Sequence, residues 1–224
     1  IWQETMSVNR TKILQNIQKN IQKGNLDKAI KDLQKILEED PKDIRTLLKI
    51  ADLQSKKGEL EEAIASYKQV AEFYAKDGFF LKSVAVYKQI LKIDPSKIDA
   101  YVRVADLYVS LGINNDAVAQ YNVVVNYFEQ HNEFKKALEV LGKILEIDSL
   151  NINTKIKEAS LLDKTGQTEK AIKILTDLSG DLESSNKQQD LIKVLEKLYL
   201  LNPSKTNLCI KVAEYYLKQN QAKK

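Results

Sequence analysis

The chain has 224 residues, and 43% of them are hydrophobic, enough to bury a core and too many for a chain that stays disordered. Its 35 basic and 31 acidic residues leave a net charge of +4 with the two signs interspersed, and arginine is confined to Arg10, Arg45 and Arg103, so no nucleic-acid partner is implied. A lone cysteine, Cys209, excludes an intrachain disulfide and a cysteine metal cluster, and apolar runs such as Val123-Val124-Val125 fall far short of the ~18–20 residues that insert into a membrane.

Residues 1–25 lack the apolar stretch of a secretory signal. Met6, followed by Ser7-Val8-Asn9, reads as a natural start, which leaves Ile1 to Thr5 foreign to the natural protein, residues 1–9 an N-terminal tail, and the cytoplasm as the expected location. Beyond the tail, punctuation residues recur every 54 positions. Gly58, Gly112 and Gly166 keep that step, as do Ala63, Ala117 and Ala171; so do Gly24, Gly78, Asn132 and Asn186, and the series Pro41, Pro95, Ser149, Pro203, which holds all three prolines. Gly or Asn supplies the left-handed residue that closes a helix, and Asp40-Pro41, Asp94-Pro95 and Asn202-Pro203 stop the helices before them.

In chain order this predicts a partial unit over 10–43, with helices at 10–23 and 26–38. A full unit follows over 44–97, with helices near 44–57, 60–77 and 80–92, then copies at 98–151 and 152–205, and a terminal helix at 206–219. Apolar residues recur at three and four positions in each predicted helix: Leu47, Leu48 and Ala51; Ile64, Tyr67, Val70, Ala71 and Tyr74; Val84, Tyr87, Ile90 and Leu91. Strand signals are absent. The expected fold is all-α, about twelve antiparallel helices in one continuous solenoid over 10–224.

From Ile44 to Val70 the unit resembles a tetratricopeptide motif, with Gly58 in the turn, Ala63 as the small residue opening the second helix, and then Tyr67 and Val70. A second, overlapping motif runs from Ile64 to Pro95 through Gly78, Ser83, Tyr87 and Ile90. The aromatic residue expected early in the first helix is kept only at Tyr101, its counterparts being Leu47, Lys155 and Cys209. The resemblance implies a right-handed solenoid whose first helices line a concave face, with no cofactor. It also implies a non-enzymatic scaffold for a protein or peptide segment, of the bacterial kind that includes motility and cell-polarity proteins.

His131, the single histidine, falls in a turn with no second histidine, cysteine or hydroxyl in register, so it reads as solvent-facing. Cys209 falls at the first-helix phase of Leu47 and Tyr101 and reads as a small core residue. Phe73, Tyr74, Phe79 and Phe80, with Tyr127, Phe128 and Phe134 one unit later, read as interhelical core, a hydrophobic ligand surface being the alternative. A cation recurs at Lys49, Arg103, Lys157 and Lys211, and three residues on stand Asp52, Asp106, Ser160 and Glu214. One reading is a set of i,i+3 surface pairs worth only ~0.2–0.5 kcal/mol each. The other places Arg45, Leu48, Lys49, Asp52, Val102, Arg103, Asp106, Ile156, Lys157 and Lys211 on a partner-binding face for an acidic or extended peptide. At the chain's ends, Leu208, Val212, Tyr215 and Tyr216 at core-like spacing, opposite Ile13 in the first helix, admit a second role in which copies stack end to end as homo-oligomers.

Overall fold

The computed structural model describes the backbone of residues 2–203 and 206–222, and the side chains of 11–203, 207, 208, 210–214, 216 and 217. Cys209 and Tyr215 lie outside the described side chains. Among the described residues there are twelve helices and no strand. They fall into two compact units, residues 1–117 and 118–224.

The first unit holds α1 (Trp2–Gln22), α2 (Leu26–Glu39), α3 (Ile44–Lys57), α4 (Leu60–Lys76), α5 (Phe80–Ile93) and α6 (Ile98–Ser110). α1 starts at Trp2, ahead of the start at Arg10 that periodicity suggests. α7 (Asn114–Gln130) begins at the end of this unit and continues into the second, which holds α8 (Phe134–Ile147), α9 (Ile152–Lys164), α10 (Thr168–Ser184), α11 (Gln188–Leu201) and α12 (Thr206–Ala222). Within the first unit each helix from α1 to α6 packs on the next, and within the second so does each from α8 to α12, the arrangement of a helical solenoid.

The turns follow local rules. Gly58 closes α3 with a left-handed φ of 87°, and its N–H donates to the carbonyls of Gln54 and Ser55. Asn132 does the same work after α7 at φ 59°, one of the few side chains that tolerates that region. Asp43 caps α3 by accepting from the Thr46 N–H at 3.1 Å, and Asn151 caps α9 by accepting from the Thr154 N–H at 3.0 Å.

Small residues sit where helices approach most closely. Ala29, Ala63, Ala71 and Ser83 in the first unit have no exposed surface, and the buried Ser83 hydroxyl is satisfied by donating to the Ala71 carbonyl at 2.7 Å. Ala29 packs in a cluster with Ile17, Ile30, Leu33, Ile36, Ile50 and Leu53. In the second unit Ala159 and Ala171 take the same role, inside a cluster with Leu175, Leu178, Leu182, Val194 and Leu195.

Two glycines have no turn to serve. Gly142 in α8 and Gly180 in α10 lie inside helices, and a Cβ added at either would meet nothing within 4 Å. Replacing each with alanine removes backbone freedom from the unfolded chain at no steric cost. Gly142→Ala and Gly180→Ala are each expected to raise stability by ~0.5–1 kcal/mol, read as an upward shift of the urea midpoint at unchanged m-value.

Candidate functional site

The cation series divides once partners are located. Lys157 on α9 donates to Asn126 Oδ1 at 2.6 Å and pairs with Glu129 Oε2 at 3.2 Å, both on α7. Glu129 also takes Lys164 at 3.0 Å, and its carboxyl is held below the ordinary glutamate range by the hydrogen bond from Lys164 first and that from Lys157 second, with burial opposing. Lys211 on α12 repeats the arrangement with Glu183 on α10, at 2.6 Å. Arg103 on α6 reaches the Tyr87 hydroxyl, its Nε donating at 3.5 Å, with Asp106 and Glu72 nearby. Three of the four cations thus bind back to their own chain. The i,i+3 partners are used otherwise: Asp52 accepts the Tyr67 hydroxyl at 2.6 Å, and Ser160 donates to the Ile156 carbonyl.

Lys49 is the exception. The position on α1 that matches Glu129 and Glu183 in the 54-residue register is Ile21, so no carboxylate is offered there. Lys49 instead lines an open groove of about 660 Å³ in the first unit, inside the ~300–1,000 Å³ range of ligand sites. One wall comes from the α2–α3 turn and the start of α3, with Lys42, Arg45 and Lys49; the other comes from the end of α4 and the start of α5, with Phe73, Tyr74, Phe79 and Lys82. Lys82 Nζ lies 4.5 Å from the Phe79 ring centre and 5.5 Å from that of Tyr74, and the two rings meet edge to face at 6.3 Å. Of the groove's acids, Asp43 caps α3 and Asp40 accepts the Lys42 N–H at 3.2 Å.

The aromatic residues correct their first reading. None of Phe73, Tyr74, Phe79, Phe80, Tyr127, Phe128 and Phe134 is fully buried, and Phe79 is 51% exposed, so they form half-open surface and not interhelical core. The core is carried instead by aliphatic side chains, alanine and a few tyrosines such as Tyr67 and Tyr87. His131 is exposed in its turn, stacked on Tyr127 at 4.1 Å with Nδ1 2.8 Å from the Tyr127 carbonyl oxygen. Of the remaining series residues, Leu48 and Val102 are half-buried, and Ile156 packs against the α9–α11 core. At the C-terminal end Leu208 and Val212 also turn into that core, leaving Ile210, Tyr216 and Leu217 exposed. Among the described residues no group of His, Cys, Asp or Glu is arranged to hold a metal, and no helix is long and apolar enough to cross a membrane.

Residues 20–79, which hold most of this groove, match the family model described as Tetratricopeptide repeat. That stretch carries the tetratricopeptide repeat. Such repeats are a scaffold for protein interaction, and here the matched stretch runs from the end of α1 to the turn before α5. Among solved structures, a MamA RS-1 ArsTM double mutant is 17% identical at a TM-score of 0.35, covering 94% of this chain and 96% of its own. A crystal structure of MamA is 18% identical at 0.30, covering 92% and 94%, and a tetratricopeptide repeat protein from Parabacteroides merdae ATCC 43184 is 13% identical at 0.27, covering 92% and 98%. No curated protein matches this chain.

Proposed function

We propose that this chain is a non-enzymatic, cytoplasmic tetratricopeptide scaffold that binds a segment of a partner protein on its first unit, with the contact centred on the groove at the start of α3. The observation that carries this reading is the division of the cations. Lys157 and Lys211 are engaged by Glu129 and Glu183, whereas Arg45 and Lys49 stand in a groove without an ion pair among the described residues. The distal positions Val102, Arg103, Asp106, Ile156, Lys157 and Lys211 then act in holding helices together, as Asp52 does through the Tyr67 hydroxyl, while Arg45 and Lys49 remain for the partner.

A photo-crosslinking residue in place of Phe79 is expected to capture a protein from the source cell, and Arg45→Glu with Lys49→Glu is expected to remove that capture while helicity is unchanged. The same crosslinker in place of Lys173, exposed on α10, should not capture it. Equal capture from both positions, or capture indifferent to the double variant, sinks the assignment. Reversing Lys157 as well would break its pair with Glu129 and confuse binding with packing.

The exposed Ile210, Tyr216 and Leu217 on α12 favour a second reading, in which copies stack through this end. Sedimentation over a wide concentration range decides it. Stacking predicts growing oligomers that Leu217→Glu abolishes, and a strict monomer rules it out.

A further inference from the structure

The groove differs from its counterparts one and two units along the chain, and it differs where helix physics would choose otherwise. Arg45 lies in the first turn of α3, where the helix dipole disfavours a cation and favours an anion. The matching residues of α6, α9 and α12 are Asp99, the anion the dipole favours, and the uncharged Asn153 and Asn207, so none is a cation. Phe79 stands at the N-cap of α5, gives no capping hydrogen bond and leaves 51% of its surface in water. The matching N-cap positions carry Asn25, Glu133 and Lys187, which give no capping hydrogen bond either, so what sets Phe79 apart is its exposed aromatic ring. Arg45 and Phe79 open into one groove.

Their chemistry is complementary to one kind of ligand. Lys42, Arg45 and Lys49 line one wall, with Arg45 and Lys49 one helical turn apart and so on the same face of α3. Across from them Phe79 and Tyr74 give an apolar, electron-rich wall already held in place by Lys82. Asp40, Asp43 and Asp77 also line the groove, Asp40 and Asp43 turned onto backbone N–H groups of the turn and the helix cap, and its four cations outnumber these carboxylates by one.

We infer that the groove takes an acidic peptide segment bearing a bulky apolar side chain, the carboxylates lying along Arg45 and Lys49 and the apolar group against Phe79 and Tyr74. This rests on the protein-binding reading above and adds the chemistry of the partner. Arg45 gives the carboxylate a planar, two-pronged donor, while Lys49 adds a point charge, so the interaction is directional at one end and salt-sensitive throughout.

The test uses the full chain and labelled peptides read by fluorescence anisotropy. The first peptide alternates Glu with Leu and Phe, the second has Lys for each Glu, the third has Ser for each Leu and Phe, and a labelled oligothymidylate represents nucleic acid. The expected result is binding of the first peptide alone, weakened at least roughly tenfold, about 1.4 kcal/mol, by Arg45→Glu with Lys49→Glu and separately by Phe79→Ser. The charge-reversed chain should gain affinity for the Lys peptide, and Lys173→Glu should change nothing. Circular dichroism confirms that each variant is folded, and Phe79→Ser, at an exposed position, remains a test if the double variant is not. Equal binding of the Lys or Ser peptide, indifference to the groove variants, or oligothymidylate binding with the same dependence on Arg45 and Lys49 overturns the inference. If no peptide binds while crosslinking at position 79 still captures a protein that the double variant loses, the scaffold reading stands and the acidic-apolar partner falls. If both fail, both fall.

Discussion

Ala63→Leu is expected to lower stability by ~1–3 kcal/mol, and Ala171→Leu to do the same in the second unit. Both alanines open a helix, α4 and α10, and both have no exposed surface. One turn beyond Ala63 the helix pair is fixed by two directional contacts: the Tyr67 hydroxyl donates to Asp52 at 2.6 Å and Ser66 donates to Gln54 at 2.8 Å, both between α4 and α3. A leucine cannot be accommodated by sliding the helices apart without breaking these bonds, so the added methylenes must force strained rotamers in a close-packed interior. Chemical denaturation measures it. Midpoints equal to the parent for both variants would show that α3–α4 and α9–α10 do not approach as closely as described.

Glu158→Val is the reverse case, a substitution expected to stabilise. In the 54-residue register the position is Ile50 on α3, Val104 on α6 and Val212 on α12. Ile50 and Val104 are 3% and 0% exposed, so a carboxylate stands in α9 at a place the other first helices reserve for core. Burial pushes its pKa above the ordinary 4.5, with Lys155 pulling the other way. The sign follows from proton binding. A carboxyl whose folded pKa is raised holds its proton more tightly in the folded state, so folding carries no charge penalty below the unfolded pKa. The penalty appears as pH rises through the folded value, and is complete above it. Glu158→Gln, which removes the charge and keeps the shape, should therefore match the parent in stability near pH 4 and exceed it progressively toward pH 7. Glu158→Val should add apolar burial and gain on the order of 1 kcal/mol at neutral pH. Melts of the three chains across that range check it, and a Gln variant less stable than the parent at pH 7 would mean the carboxylate is held by a partner.

Helix boundaries were open to reading from residues alone because each is decided within a few positions. A left-handed Gly or Asn ends a helix by its own backbone preference, and an Asp-Pro step stops one by steric exclusion, so the starts of α3 and α6 at Ile44 and Ile98 follow from Asp40-Pro41 and Asp94-Pro95 just before them, while α9 starts at Ile152 behind the Asn151 cap. The small residues Ala63 and Ala171 announced close helix approach in the same way. What lay beyond sequence was which cation has a partner. Lys157 and Lys211 are stapled to carboxylates 28 residues earlier in the chain, a separation that only the stacking of helices converts into a contact of 3.2 and 2.6 Å, whereas Lys49 repeats the same residue type at the same phase and has no ion pair among the described residues. The aromatic residues show the same division. Helical spacing placed them on one side of their helices, but whether that side is covered depends on the neighbouring helices, and Phe79 is left 51% exposed. Local sterics and hydrogen bonding wrote the helices and turns into the sequence, while charge pairing and burial, being set by distances between segments far apart in the chain, were decided by the tertiary structure.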